Sequence, residues 1–216
     1  MRPLVVVGAG GHALEVLSLV RRVNERSPSW DVQGLVVDPQ YRESDDLGGS
    51  PILGGIEWVS TQPTFSVVIA IGSSLGRAEV ADRLSLLGPM EFATLVDPSA
   101  YVADDATIAP GSQVLAGAVV GAGAQVGRHC ILNYGAIVSH ESRIADFVSI
   151  GPAACLGGRT ALGEGVEVGM GARVLPRLEV EAHAVVGAGA VVTRSVGARS
   201  TVVGVPARDL QSDVGS

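Results

Sequence analysis

The chain contains no lysine: all 15 of its basic side chains are arginine, against 22 acidic residues and a formal net charge of −7. Nothing here resembles a basic face for nucleic acid or a polybasic membrane patch, and neither partner is expected. Cysteine is nearly absent. Cys130 and Cys155 are too few and too far apart for a disulfide framework or for the paired ligands of a zinc site, and we expect a reducing, cytoplasmic protein without metal. Long apolar runs are missing as well. The N-terminal run Leu4–Val7 reaches Gly8 after four residues, shorter than a signal-peptide core and far shorter than a membrane span. Aromatics make up only 4% while glycine numbers 29, a balance that argues for many tight turns over an aromatic-filled core.

What the second half has instead is a rhythm. An aliphatic residue stands at every sixth position, sixteen times in succession from Val102 through Val120, Val138, Leu156 and Val174 to Val192. A second lane two residues ahead is mostly small, as at Ala118, Ala124, Cys130, Ala136 and Ala154. Neither a two-residue strand period nor a 3.6-residue helical period can produce this pattern. A triangular coil can, in which each hexapeptide is a short strand plus a turn and three hexapeptides close a coil of about 18 residues. The aliphatics then form an interior ladder, and successive coils stack about 4.8 Å apart. Glycines such as Gly121, Gly127, Gly163 and Gly187 suit turns that need positive φ or close backbone approach. The pattern defines a parallel β-helix from about Tyr101 to Val196.

The first half reads as a small Rossmann-like α/β domain over residues 1–95, with the β-helix and a C-terminal loop over 96–216. Leu4–Val7 predicts a strand that ends in Gly8-Ala9-Gly10-Gly11-His12-Ala13, followed by apolar positions at helical spacing to Val23. Further strands are expected over 33–37 and 66–71, and a helix over 77–87 stopped by Gly88-Pro89. Gly8-x-Gly10-x-x-Ala13 matches the glycine fingerprint that lets a phosphate approach a helix N-terminus. The same turn would also serve a purely structural role, or one half of an NAD site. A whole dinucleotide normally needs a larger double sheet than fewer than about a hundred residues supply.

The combination of Gly8-Ala9-Gly10-Gly11-His12, the hexapeptide coils, Ser139-His140-Glu141-Ser142, Leu156-Gly157-Gly158 and Gly204-Val205-Pro206-Ala207 resembles one family along almost the whole chain. It is that of the sialic acid-type sugar O-acyltransferases and the nucleotide-4-amino-sugar N-acetyltransferases of bacillosamine and perosamine biosynthesis. The resemblance implies a left-handed helix, a homotrimer, acetyl-CoA laid along the coils and an active site between neighbouring subunits. It makes His140 the general base and Glu141 its partner, chemistry that suits an amine or hydroxyl attacking a thioester. One coil beyond His140 stands Gly158, whose backbone N–H is placed to bind the thioester oxygen.

Two positions depart from the pattern. Ser149 occupies the place of a second histidine common among relatives, and Gly72-Ser73-Ser74 replaces a Gly-Asn type turn. The expected donor site comprises Gly158, Met170, Gly187, Gly189, Val205 and Pro206. The nucleotide-sugar site comprises Gly8, Gly10, Gly11, His12, Asp38 and Ser73. N-acetylation of a nucleotide-linked amino-sugar leads, with O-acetylation of sialic acid or another glycan sugar as the alternative. A non-catalytic trimeric scaffold is a further reading. Hexapeptide coils also build zinc enzymes that use three histidines, but His129 and His183 share a register several coils apart and His140 lies on another side.

Overall fold

The computed structural model describes residues 1–61 and 65–210. The chain divides into two compact units, the first ending at Pro98 and the second beginning at Ser99. Physical reasons for the first boundary lie just before it. Leu95 is fully buried, and the buried Asp97 carboxylate accepts hydrogen bonds from Arg22 Nε and Nη2 at 2.5 and 3.0 Å.

The first unit is a six-stranded sheet in the order β3-β4-β2-β1-β5-β6. Its members are β1 (Arg2–Val7), β2 (Trp30–Val36), β3 (Asp46–Leu47), β4 (Ser50–Gly54), β5 (Ser66–Ile69) and β6 (Glu91–Phe92). Leu4–Val7 are buried throughout, as a central strand covered on both faces requires, and β1 pairs in parallel with both β2 and β5. Helix α1 (Gly11–Arg26) buries Ala13, Val16, Leu17, Leu19 and Val20. Helix α2 (Ser74–Leu86) starts at Ser73, whose hydroxyl accepts from the Gly76 N–H and caps it. The predicted strands and helices are all present, with α2 beginning ahead of the 77–87 expectation. The β3–β4 hairpin was not predicted. Its turn is Gly48-Gly49, both in the left-handed region, a pair that signals a two-residue hairpin loop.

The second unit is the β-helix. Two-residue strands pair in parallel at a constant offset of one coil on each face: Val120 with Val138, Val138 with Leu156, Leu156 with Val174 and Val174 with Val192. The aliphatic ladder points inward and is buried from Val114 to Val192. Each fully buried aliphatic side chain contributes roughly 1.5–3 kcal/mol. The small lane is buried too, with Ala118, Ala124, Ala136, Ala154, Ala172 and Ala190 filling the narrow interior vertices. The rhythm shortens at the end, where Val180 bridges Val196 and Val186 pairs with Val202.

The glycines after each aliphatic turn out to serve close approach and not positive φ. A Cβ on Gly121 would fall 2.9 Å from the His140 backbone nitrogen, and one on Gly163 would fall 2.5 Å from that of Ala182. Left-handed φ belongs to the lane two residues later, which includes Gly123, Gly135, Gly171 and Gly189.

Candidate active site

His140 and Glu141 form the two-residue turn at one corner of a coil. Directly above is the Ala122-Gly123 turn and directly below is Gly158-Arg159. The backbone ties them: Glu141 N–H donates to Ala122 O at 2.8 Å, and Arg159 N–H to His140 O at 2.9 Å. Both side chains of the His140-Glu141 pair are more than half exposed, so the corner is open to a second molecule.

Glu141 Oε2 lies 3.0 Å from His140 Nδ1. The carboxylate also accepts from Arg159 Nε at 2.9 Å and Arg159 Nη2 at 3.2 Å. These hydrogen bonds, first those of Arg159 and then that of His140, hold the Glu141 carboxyl below the usual carboxylate range. An ionised carboxylate only accepts. Nδ1 must therefore carry the proton of a neutral imidazole, which leaves the Nε2 lone pair to take a proton.

Nε2 faces Gly158. A Cβ built there would collide with Nε2 and fall 2.5 Å from Cε1, so the ring lies directly against the glycine backbone. The Gly158 carbonyl accepts from Arg177 N–H at 3.0 Å, whereas its own N–H takes no part in the coil-to-coil bonds among the described residues. A proton acceptor and an unused backbone donor thus stand together. That is the pair of groups that acyl transfer from a thioester needs.

The other residues expected at the donor site gather at a different corner. Met170 is exposed, and its carbonyl accepts from Gly189 N–H at 2.9 Å. Gly187 packs against Val203, and the loop through Val205 and Pro206 is tied to Val191 by bonds from Val191 N–H to Gly204 O (3.0 Å) and from Ala207 N–H to Val191 O (2.8 Å). All the predicted donor residues except Gly158 therefore share one end and corner of the helix, while Gly158 stands with His140 on another. Ser149 lies on a coil face between Ile131 and Glu167. His129 stacks on Phe147 at 5.3 Å between ring centroids, and His183 packs against Gly165. Among the described residues no three His, Cys, Asp or Glu side chains are arranged to hold a metal ion.

In the first unit, a cavity of about 780 Å³ opens where β1, β2 and β5 end. Gly8, Gly10, Gly11, His12 and Asp38 all line it, together with Tyr41, Glu79 and Arg83. Gly8 has φ +110°, and a Cβ there would meet Ala70 O at 2.9 Å, so the backbone requires glycine at this point of the cavity wall. Gly10 and Gly11 face open space, which leaves the start of α1 bare toward the cavity. His12 Nδ1 pairs with Glu15 at 2.7 Å. Asp38 is held by Arg83 through Nη1 at 2.6 Å and Nη2 at 3.1 Å. The Arg83 hydrogen bond lowers the Asp38 carboxyl from its ordinary range against a smaller opposing push from burial.

Ser73 caps α2 and does not line the cavity; its neighbours Gly72 and Gly76 do. Sequence reasoning also missed Arg77, which is fully buried and donates to Ile71 O and Gly72 O at 2.9 and 2.7 Å, fixing the cavity wall. Arg159 was missed although register alone would have found it, since it occupies the position of Glu141 in the next coil.

A parallel β-helix with a histidine-carboxylate corner is the architecture of hexapeptide-repeat acyltransferases, and solved structures similar to this chain are acetyltransferases. Residues 3–84 match the family model described as the PglD N-terminal domain. Comparison with curated protein sequences gives no significant match. Among solved structures, the acetyltransferase domain of PglB from Neisseria gonorrhoeae is 31% identical over 97% of this chain and 100% of that one, with a TM-score of 0.89. PerB from Caulobacter crescentus, solved in complex with CoA and GDP-perosamine, is 30% identical over 96% of both chains with a TM-score of 0.87. WeeI from Acinetobacter baumannii, at 24% identity over 97% of this chain and 100% of that one and a TM-score of 0.72, shares the fold. The chain belongs to the hexapeptide-repeat family of nucleotide-amino-sugar N-acetyltransferases, whose β-helix is left-handed. Among the described residues no helix is long and apolar enough to cross a membrane.

Proposed function

We propose that the protein transfers an acetyl group from acetyl-CoA to the amine of a nucleotide-linked amino-sugar, in the cytoplasm and by direct attack. The observation that carries this reading is the His140 corner: Nδ1 is committed to Glu141 and Nε2 faces the Gly158 backbone. His140 Nε2 accepts the proton of the attacking amine. The Gly158 N–H binds the thioester oxygen as negative charge builds on it. The tetrahedral adduct collapses with cleavage of the C–S bond, the proton held on His140 passes to the sulfur so that coenzyme A leaves as the thiol, and no covalent acyl-enzyme forms.

The cavity of the first unit, with the bare start of α1 at Gly10 and Gly11 and with Asp38 in its wall, supports a nucleotide site there, since a helix start favours phosphate. The related N-acetyltransferase from Caulobacter crescentus was solved with CoA and GDP-perosamine, also in variants where one histidine is replaced by asparagine or alanine. That pairing supports the same class of acceptor here. The split of the donor residues between two corners supports a homotrimer, in which Met170, Gly187, Gly189, Val205 and Pro206 of one copy complete the site at His140 of its neighbour.

Thiol release from acetyl-CoA, measured with UDP-, GDP- and dTDP-linked amino-sugars, tests the reading. Turnover is expected with at least one of them, and His140→Ala should lower it by about 10²–10⁴-fold, the usual worth of a general base. Full activity in His140→Ala would remove this histidine from the mechanism.

A further inference from the structure

Arg159 belongs to neither the expected donor set nor the expected acceptor set, yet it makes two charge-assisted hydrogen bonds at the His140 corner. We propose that Arg159 is a positioning residue for acetyl transfer: its guanidinium clamps the Glu141 carboxylate in the orientation that keeps His140 Nε2 turned toward Gly158. The inference rests on the reading of His140 as the general base.

Three observations carry it. The first is geometric. Arg159 Nε and Nη2 engage Glu141 Oε2 and Oε1 separately, the fork-to-fork match that only a planar guanidinium makes. An exposed glutamate held by His140 alone would keep much of its rotamer freedom. Held at both oxygens, it presents Oε2 to Nδ1 in one place.

The second is register. Gly123, Glu141, Arg159 and Arg177 occupy the same turn position in four successive coils, and all are left-handed, with φ of 65°, 56°, 60° and 63°. Glycine is the unstrained residue for that backbone, as Gly123 illustrates. Side chains here incur a conformational cost, and at Glu141 and Arg159 they meet each other across adjacent coils.

The third is charge. Glu141 and Arg159 are the ionised groups against the imidazole; in the same lane, Asp105 lies two coils above Glu141 and Arg177 one coil below Arg159. The guanidinium offsets the carboxylate's charge beside the ring while fixing its direction. It also keeps Glu141 an acceptor, and hence Nδ1 the protonated nitrogen.

The test uses Arg159→Gly in the full chain, because glycine suits the local φ and the variant retains the coil. Steady-state kinetics are measured with acetyl-CoA and whichever nucleotide-linked amino-sugar gives turnover, alongside thermal melting. The expected result is a melting temperature unchanged or raised, KM for both substrates within about twofold, and kcat lowered on the order of 10-fold. Arg159→Lys should recover little, since an ammonium lacks the fork. Combined with Glu141→Gln, Arg159→Gly should add no further loss, because the two act as one unit.

An unchanged kcat in Arg159→Gly overturns the proposal. So does a raised KM at unchanged kcat, which would make Arg159 a binding residue, or losses that multiply in the double variant. An inactive His140→Ala beside a fully active Arg159→Gly rejects the positioning role alone. A fully active His140→Ala rejects the underlying mechanism.

Discussion

Gly158 and His140 act on each other through a contact too close for any side chain at position 158. Replacing Gly158 by alanine would drive a Cβ into Nε2. The exposed imidazole can swing away, so the fold should survive. In the proposed mechanism this displaces the proton acceptor from the amide assigned to the oxyanion. Gly158→Ala is thus expected to lower kcat by about 10²-fold, comparable with loss of an oxyanion donor, while circular-dichroism melting stays within a few degrees of the parent. Asp38 offers a different kind of prediction. Folding lowers its pKa through Arg83, so the stabilisation it provides is fully present above the unfolded value of about 3.9 and is lost as pH falls through the folded one. Because the Arg83 side chain is 42% exposed, solvent screening limits the pair to less than about 1 kcal/mol. Asp38→Asn should melt slightly below the parent at pH 7, and the difference should close at pH values below the ordinary aspartate range; a gap that persists unchanged in acid would point to packing instead of charge.

At the scale of elements, the β-helix tolerates little change in its interior ladder, because each aliphatic lies between identical positions in the coils above and below. Leu156 is fully buried between Val138 and Val174. Leu156→Ala should cost about 2–5 kcal/mol, the range for a buried leucine truncated to alanine, and urea unfolding would measure it. The same rigidity made the coils readable from sequence. With one register repeated coil after coil, the corner shared by His140 and Gly158 followed from subtraction, and Arg159 was available by the same arithmetic. The first unit is less legible. Gly8 to His12 pointed to the cavity, but the Asp38–Arg83 pair joins two residues far apart along the chain, and no local pattern announces it. Ser73 was assigned to the pocket from the turn it occupies; the hydroxyl is instead used at the start of α2. Nor could composition reveal Arg77, since a fully buried arginine satisfied by two carbonyls looks in sequence like any surface cation. The positive-φ lane escaped because left-handed corners here accept Glu, Arg, His and Phe as well as glycine.

On the scale of the whole molecule, each unit brings a different part of the chemistry. The first supplies a cavity with a bare helix start, and the second supplies a histidine, its carboxylate partner and an unused amide at one corner, the groups to which the proposed mechanism assigns base and oxyanion donor. That division suits an acceptor recognised by its nucleotide and acetylated at its sugar. It also predicts where the acetyl group ends up. The most direct measurement is mass spectrometry and proton NMR of the nucleotide-sugar after incubation with the protein and acetyl-CoA, repeated after mild alkaline treatment. The expected product carries one added acetyl group on the sugar nitrogen, stable to alkali as an amide. An acetyl group lost in alkali as an ester, or a nucleotide-sugar recovered unchanged from every amino-sugar offered while acetyl-CoA is consumed on another acceptor, would contradict it.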